Sequence, residues 1–207
     1  MIDTLLQYDE RLFLFLNNLG TPSWDEFWRI VTEKWSSLPL YALLLFLVFK
    51  KFGIKATLVV MLCAAIMITA TDQLANLFKY ILFKRPRPCR EQELELLMRF
   101  VADGCGRYGY FSAHAASSMA AAVFLGLLLK PFYKTLPFLL LLWASVVAYS
   151  RIYLGVHYPL DIITGMFFGA WIGLAVYKLN IWAQGRFTLY RLKINPAIAL
   201  SCVFYYL

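Results

Sequence analysis

Five apolar runs, separated by short segments rich in Lys, Arg and Pro, dominate the chain at about 35–49, 55–83, 112–129, 135–150 and 159–182. A membrane-spanning helix needs roughly 17–25 mainly apolar residues, so the first and fourth runs draw on flanking sequence to cross. Composition supports this reading of the runs. The 207 residues are 61% hydrophobic and 15% charged, against about 25% charged in soluble domains. A chain of this length has no water-facing core large enough to hide so much apolar surface. A soluble domain, a disordered chain, a fibre and a disulfide-rich mini-domain are therefore excluded. The expected class is all-α: a polytopic bundle of about five transmembrane helices.

The flanks differ from the spans. Segments 2–19 and 23–34 mix charges (Asp9, Glu10, Arg11; Asp25, Glu26) with apolar and aromatic residues (Leu5, Leu6, Leu12, Phe13; Trp24, Phe27, Trp28). That pattern suits amphipathic helices lying in the membrane interface. The start of the chain lacks the basic region and long apolar run of a cleavable signal peptide. Residues 1–34 are thus expected to form interfacial helices, 35–183 the membrane core, and 184–207 a basic, then apolar, tail too short to span.

Consecutive spans alternate in direction, which places the polar residues at two faces. Lys79, Lys84, Arg85, Arg87 and Arg90 end the second run; Ser112 and His114 open the third; Ser150 and Arg151 end the fourth; His157 and Asp161 open the fifth. All fall at one face, and ionisable residues at membrane depth mark function. The opposite face carries Lys50, Lys51, Lys55, Lys130, Lys134, Lys178, Arg186, Arg191 and Lys193 and no acidic residue. Lys and Arg tie at nine on each face before Lys79 and Arg151 are counted, but the uniform positive sign of this face favours it as cytoplasmic, and the site is then expected to face outward. The net charge of +8 fits lipid phosphates and this asymmetry; no nucleic-acid partner and no obligate protein partner are expected.

Two histidines, an Asp beside one of them, several cations and a Ser at a helix start form an anion site suited to phosphate. A neutral imidazole is a nucleophile toward phosphorus, an Asp four residues later fixes its tautomer, and a second His can protonate the leaving oxygen. The two His are too few for a His-built metal centre, there is no carboxylate cluster for Mg²⁺ or Ca²⁺, and no C-x-x-C. Neither a metal nor another cofactor is expected.

Ser150-Arg151 through His157 to Asp161 matches S-R-x5-H-x3-D, and this resembles the third signature of the type 2 phosphatidic acid phosphatase superfamily. Phe111-Ser112-Ala113-His114 is similar to its second, P-S-G-H, with Phe and Ala replacing Pro and Gly. Lys79 through Arg87-Pro88 is similar to its first, K-x6-R-P, with seven intervening residues instead of six. The resemblance covers about 35–182. It implies a membrane core of six-helix type and metal-free removal of phosphate from lipid phosphates or diphosphates through a phosphohistidine. Carried over, it makes His157 the nucleophile, Asp161 its partner and His114 the general acid. Lys79, Arg87, Ser112, Ala113 and Arg151 would bind phosphoryl oxygens, with Arg85 as an alternative for the first-signature arginine. A phosphate-binding scaffold or transporter needs no nucleophile, and the haloperoxidase version of the motif set does not suit membrane spans.

The expected substrate at an outward site in a bacterial inner membrane is undecaprenyl diphosphate. A lipid A phosphate or phosphatidylglycerol phosphate is the alternative. Cys89 and Cys105 flank the loop between the first two signatures. In an oxidising compartment loop thiols pair. Closing a segment of about 15 residues is worth roughly 3 kcal/mol in chain-entropy models. A Cys89–Cys105 disulfide is therefore expected, with Cys63 and Cys202 reduced.

Overall fold

A computed structural model describes residues 2–33 and 35–186. The described residues contain no β-strand. The helices are α1 (Ile2–Asn18), α2 (Asp25–Thr32), α3 (Leu38–Leu77), α4 (Ala113–Leu129), α5 (Leu136–Tyr153) and α6 (Pro159–Arg186). Proline stands in the first turn of α3 and α5 and opens α6, where its missing N–H has no intrahelical partner to lose.

With the turn that follows it, α3 forms a continuous apolar stretch, Leu38–Leu82, of 45 residues. Straight, that would run about 67 Å, twice the thickness of a bilayer core. It is not straight: Gly53 has φ 77° and ψ 177°, a conformation costly for any side chain. The space around it is open, so the turn itself and not crowding requires the glycine. The break divides the stretch into the first two expected spans, later than the sequence boundary at 49. Leu136–Tyr153 and Pro159–Arg186 are also long and apolar enough to cross, and Ala113–Leu129 is a shorter apolar helix. Among the described residues these elements, with the long stretch divided at Gly53, correspond to the five expected apolar runs.

The short helix is the central one. Twelve of the 17 residues of α4 are buried, and α6 lies closest to it. Gly165, Gly169 and Gly173 face its backbone: an added Cβ would stand 2.6 Å from Ser112 O at Gly165 and 2.5 Å from Ala120 O at Gly173, with Ala116 O against Gly169. A ridge of glycines on alanines lets the two helices touch backbone to backbone. Around this centre, large apolar side chains point outward, among them Phe46, Leu62, Phe138, Phe167 and Trp171, as lipid-facing positions require. The helix of α6 runs past the expected core boundary at 183, because Gln184 donates to Asn180 Oδ1 at 2.9 Å within the buried face. The remaining expected tail, and Cys202, lie outside the described residues.

The expected amphipathic helices form, but of Leu5, Leu6, Leu12 and Phe13 in α1 only Phe13 is buried. Leu5, Leu12 and Phe15 are exposed, and the buried positions are Asp9, Phe13 and Asn17. These recur every four residues, which places them on one helical face. Phe13 meets the Tyr158 ring edge-on at 5.4 Å. Asn17 donates to the carbonyls of Arg99, Ile152 and Tyr153 and accepts from Arg99 N–H. α1 is thus fastened to the ends of the core helices by polar contacts, and α2 by Trp28, which stacks on Tyr153 at 5.3 Å.

Candidate active site

His157 lies in the connection from α5 to α6 and Asp161 in the first turn of α6. The connection is tight because Gly155 takes φ 79°; a side chain there would meet Met98 and the Arg99 carbonyl. His157 Nδ1 stands 3.2 Å from Asp161 Oδ2, which also accepts the Tyr158 N–H at 3.1 Å. Both side chains are sealed from solvent, at 2% and 0% exposure. A carboxylate only accepts, so Nδ1 carries the hydrogen and Nε2 keeps its lone pair. Burial, reinforced by the charges of Arg87, Arg151 and Lys79, holds the His157 pKa well below the ordinary histidine range.

Those three cations come from three places. Lys79 is buried in a π-helical turn, Phe78–Leu82, at the end of the second span. A π turn takes up one residue more than an α turn. It lies within the interval from Lys79 to Arg87, which is one residue longer than K-x6-R-P. Arg87 follows in extended conformation, its Nε donating to Tyr108 O at 3.0 Å. Arg151 ends α5. Its Nη1 donates to Thr32 Oγ1 of α2, while its Nε is buried without a protein partner. A buried, unpaired guanidinium N–H is a costly feature unless an acceptor arrives, and an anion is the natural acceptor.

Ser112 caps α4: its Oγ accepts from Ala115 N at 3.4 Å and its N–H donates to Asp161 O at 3.0 Å. The serine therefore ties the start of α4 to the start of α6. Ala113 and His114, half-buried, follow in the first turn, where backbone N–H groups have no intrahelical acceptor. Phe111, in place of the signature proline, is fully buried and stacks on Phe168 at 5.2 Å. The departure from P-S-G-H is thus an aromatic anchor for the helix start.

Arg85 has other partners than those of a phosphate ligand. Its Nη1 is 2.7 Å from Asp9 Oδ2 and 3.5 Å from Asp161 Oδ1, and its guanidinium lies over the Tyr158 ring at 3.8 Å. The sequence reading missed Asp9: its spacing of four and eight residues to Phe13 and Asn17 marks one helical face but gives no sign of a partner 76 positions on. It also missed Gly109, where a Cβ would stand 2.9 Å from Asp161 Oδ2 and 3.6 Å from His157 Nδ1. Cys89 and Cys105 are joined in the loop between the first two signatures, and Arg90 Nη2 donates to Cys105 O at 2.6 Å. Among the described residues, no group of three or more His, Cys, Asp or Glu is gathered to hold a metal.

Known proteins similar to this chain in sequence or fold are membrane phosphatases. Residues 54–184 match the PAP2 superfamily. A lipid A 4'-phosphatase of Bacteroides thetaiotaomicron is 35% identical over 179 residues, 86% of this chain and 79% of that one. A second, from Porphyromonas gingivalis, is 29% identical over 188 residues, 89% of this chain and 78% of that one. An undecaprenyl-diphosphatase of Sulfolobus acidocaldarius is 41% identical over a shorter stretch of 73 residues, 35% of this chain and 34% of that one. The crystal structure of a transmembrane PAP2-type phosphatidylglycerolphosphate phosphatase from Bacillus subtilis superposes with a TM-score of 0.67 at 16% identity, over 93% of this chain and 90% of that one. That of Aquifex aeolicus LpxE gives 0.56 at 26% identity, over 81% and 93%. A scaffold or transporter reading has no place beside these relatives: the chain belongs to the PAP2 superfamily and is a membrane lipid phosphatase.

Proposed function

We propose that this protein removes a phosphate from lipid A, at the outward face of a bacterial inner membrane, through a phosphohistidine. The substrate rests on the two lipid A 4'-phosphatases, each aligned over more than three quarters of its own length. The expectation of undecaprenyl diphosphate has support over only 73 residues, so lipid A takes its place as the preferred substrate.

The mechanism rests on one observation above the others: a buried histidine whose Nδ1 is held 3.2 Å from a buried carboxylate. His157 Nε2 attacks phosphorus in line with the sugar oxygen. The P–O bond to that oxygen breaks, and His114 passes it a proton. Asp161 keeps the ring oriented and offsets the positive charge that develops on it. Arg87, Arg151 and Lys79, with the N–H of Ala113, balance the charge on the equatorial oxygens. Ser112 positions that N–H through its cap. Water, deprotonated by His114, then attacks the phosphohistidine; inorganic phosphate leaves and His157 is regenerated.

Purified protein in detergent, given lipid A, undecaprenyl diphosphate and phosphatidylglycerol phosphate, should release phosphate fastest from lipid A, with the product one phosphate lighter in mass. Activity should persist in EDTA. His157→Ala should abolish turnover, and His114→Ala should lower it about 10²–10⁴-fold, the usual worth of a general acid. Faster turnover of undecaprenyl diphosphate would overturn the substrate; an active His157→Ala protein would overturn the mechanism.

A further inference from the structure

The N-terminal helix reaches the reacting pair. Asp9 on α1 is 5% exposed. Its Oδ1 accepts the Leu160 N–H at 2.8 Å, one residue before Asp161. Its Oδ2 lies 2.7 Å from Arg85 Nη1, and the same nitrogen is 3.5 Å from Asp161 Oδ1. Tyr158, next to His157, is covered by the Arg85 guanidinium on its face and by Phe13 at its edge. Asp9 thus reaches the start of α6 twice, once through backbone and once through Arg85, and its polar contacts do not include His157.

We infer that Asp9 is a positioning residue for catalysis, holding Arg85 at the distance from which it steadies the Asp161 carboxylate without drawing it away from His157. The inference rests on the role of His157 and Asp161 given above. Its physical basis is charge balance. One half-buried cation stands between two buried carboxylates, a net charge of −1 over the three groups, and it lies 0.8 Å closer to Asp9 than to Asp161. Removing the Asp9 charge frees Arg85 to close on Asp161, and the carboxylate then holds the imidazole less firmly. Removing Arg85 takes away the cation that two buried carboxylates share and raises the cost of keeping both charged. Removing both charges restores the net −1, with Asp161 alone carrying it. Burial pushes the Asp9 carboxyl pKa upward, and Arg85 and the Leu160 N–H act against that push.

The test is a double-mutant cycle on purified full-length protein, with Asp9→Asn, Arg85→Gln and the pair combined. Asp9→Asn should lower kcat about 10–100-fold, the scale set by a misplacement near 1 Å. Its inhibition by inorganic phosphate, which reports the folded anion site, should stay within about threefold, much less than the factor of ten that about 1.4 kcal/mol produces. The double variant should turn over faster than Arg85→Gln alone. Phosphate affinity falling together with kcat in Asp9→Asn would reduce Asp9 to a folding contact, and a double variant no faster than Arg85→Gln would remove the charge-balance argument. An unchanged kcat in Asp9→Asn, beside an inactive His157→Ala, would sink this inference alone. An active His157→Ala would sink the reading beneath it.

Discussion

A histidine attacks phosphorus only when its lone pair is free, and His157 meets that condition through its surroundings. Burial and three nearby cations disfavour the imidazolium before substrate arrives, while Asp161 holds the ring by the other nitrogen. The sign of the pH effect follows. With the native pKa lowered, the neutral ring persists as the pH falls, and the unfolded chain takes up the proton first. His157 therefore destabilises the fold progressively below its ordinary pKa of about 6.5, and contributes no such loss above it. Nitrogen NMR of ring-labelled free enzyme should show His157, assigned by its disappearance in His157→Ala, still neutral and Nδ1-protonated at pH 5.5, where an ordinary histidine is about nine-tenths charged. A midpoint near 6.5 or above would contradict this. At this scale the sequence was legible where a signature fixes both residue and spacing, as for His157 and Asp161. It was illegible where a side chain finds its partner across the fold. Nothing near Arg85 in the chain indicates that a carboxylate 76 positions earlier, Asp9, takes its guanidinium.

The elements carry the residues only because two helices come unusually close. α6 brings Asp161 and α4 brings Ser112, and the bond from Ser112 N–H to Asp161 O joins their starts. The glycines below that bond set the distance. Because a Cβ at Gly169 would meet the Ala116 backbone, with its α-carbon at 2.9 Å, no side-chain rotation relieves the clash. Gly169→Ala should therefore separate α6 from α4 and cost about 1–3 kcal/mol, the usual range for overpacking. It should also lower kcat although it lies two helical turns from Asp161. Thermal unfolding in detergent together with kcat checks this. An unchanged midpoint would show that the helices have room to spare. The spans themselves were readable from hydropathy, because lipid imposes length and apolarity on each helix separately. The extent of α1's role was not, because its exposed leucines carry the amphipathic pattern while the polar residues Asp9 and Asn17 make the contacts.

Over the whole molecule, charge and chemistry occupy opposite ends. The turn at Gly53 brings Lys51 over the rings of Phe132 and Tyr133, so the break in α3 and the α4–α5 connection share the lysine-rich end. His157, Asp161, Arg87, Arg151 and the Cys89–Cys105 loop lie at the other. In the orientation proposed above, the lysine-rich end, which carries no acidic residue, stays in the cytoplasm, and the loop then meets an oxidising environment. The loop is seated on the catalytic connection, with Val101 and Ala102 N–H donating to Leu154 O, and it carries Arg87 at one end and Gly109 at the other. A disulfide between residues 16 apart limits how far that segment can swing from the site, and it also narrows the unfolded ensemble, a stabilisation that chain-entropy models value at about 3 kcal/mol. Protein alkylated in intact membranes and mapped without reduction should yield a linked Cys89–Cys105 peptide, while buried Cys63 should label only after unfolding. Reduction should loosen Arg87 and raise KM more than it lowers kcat, because in the proposed mechanism the loop bears a phosphate-binding group and not the nucleophile. Free, labelled Cys89 and Cys105 would remove the bridge and, with it, the strongest chemical argument for an outward-facing site.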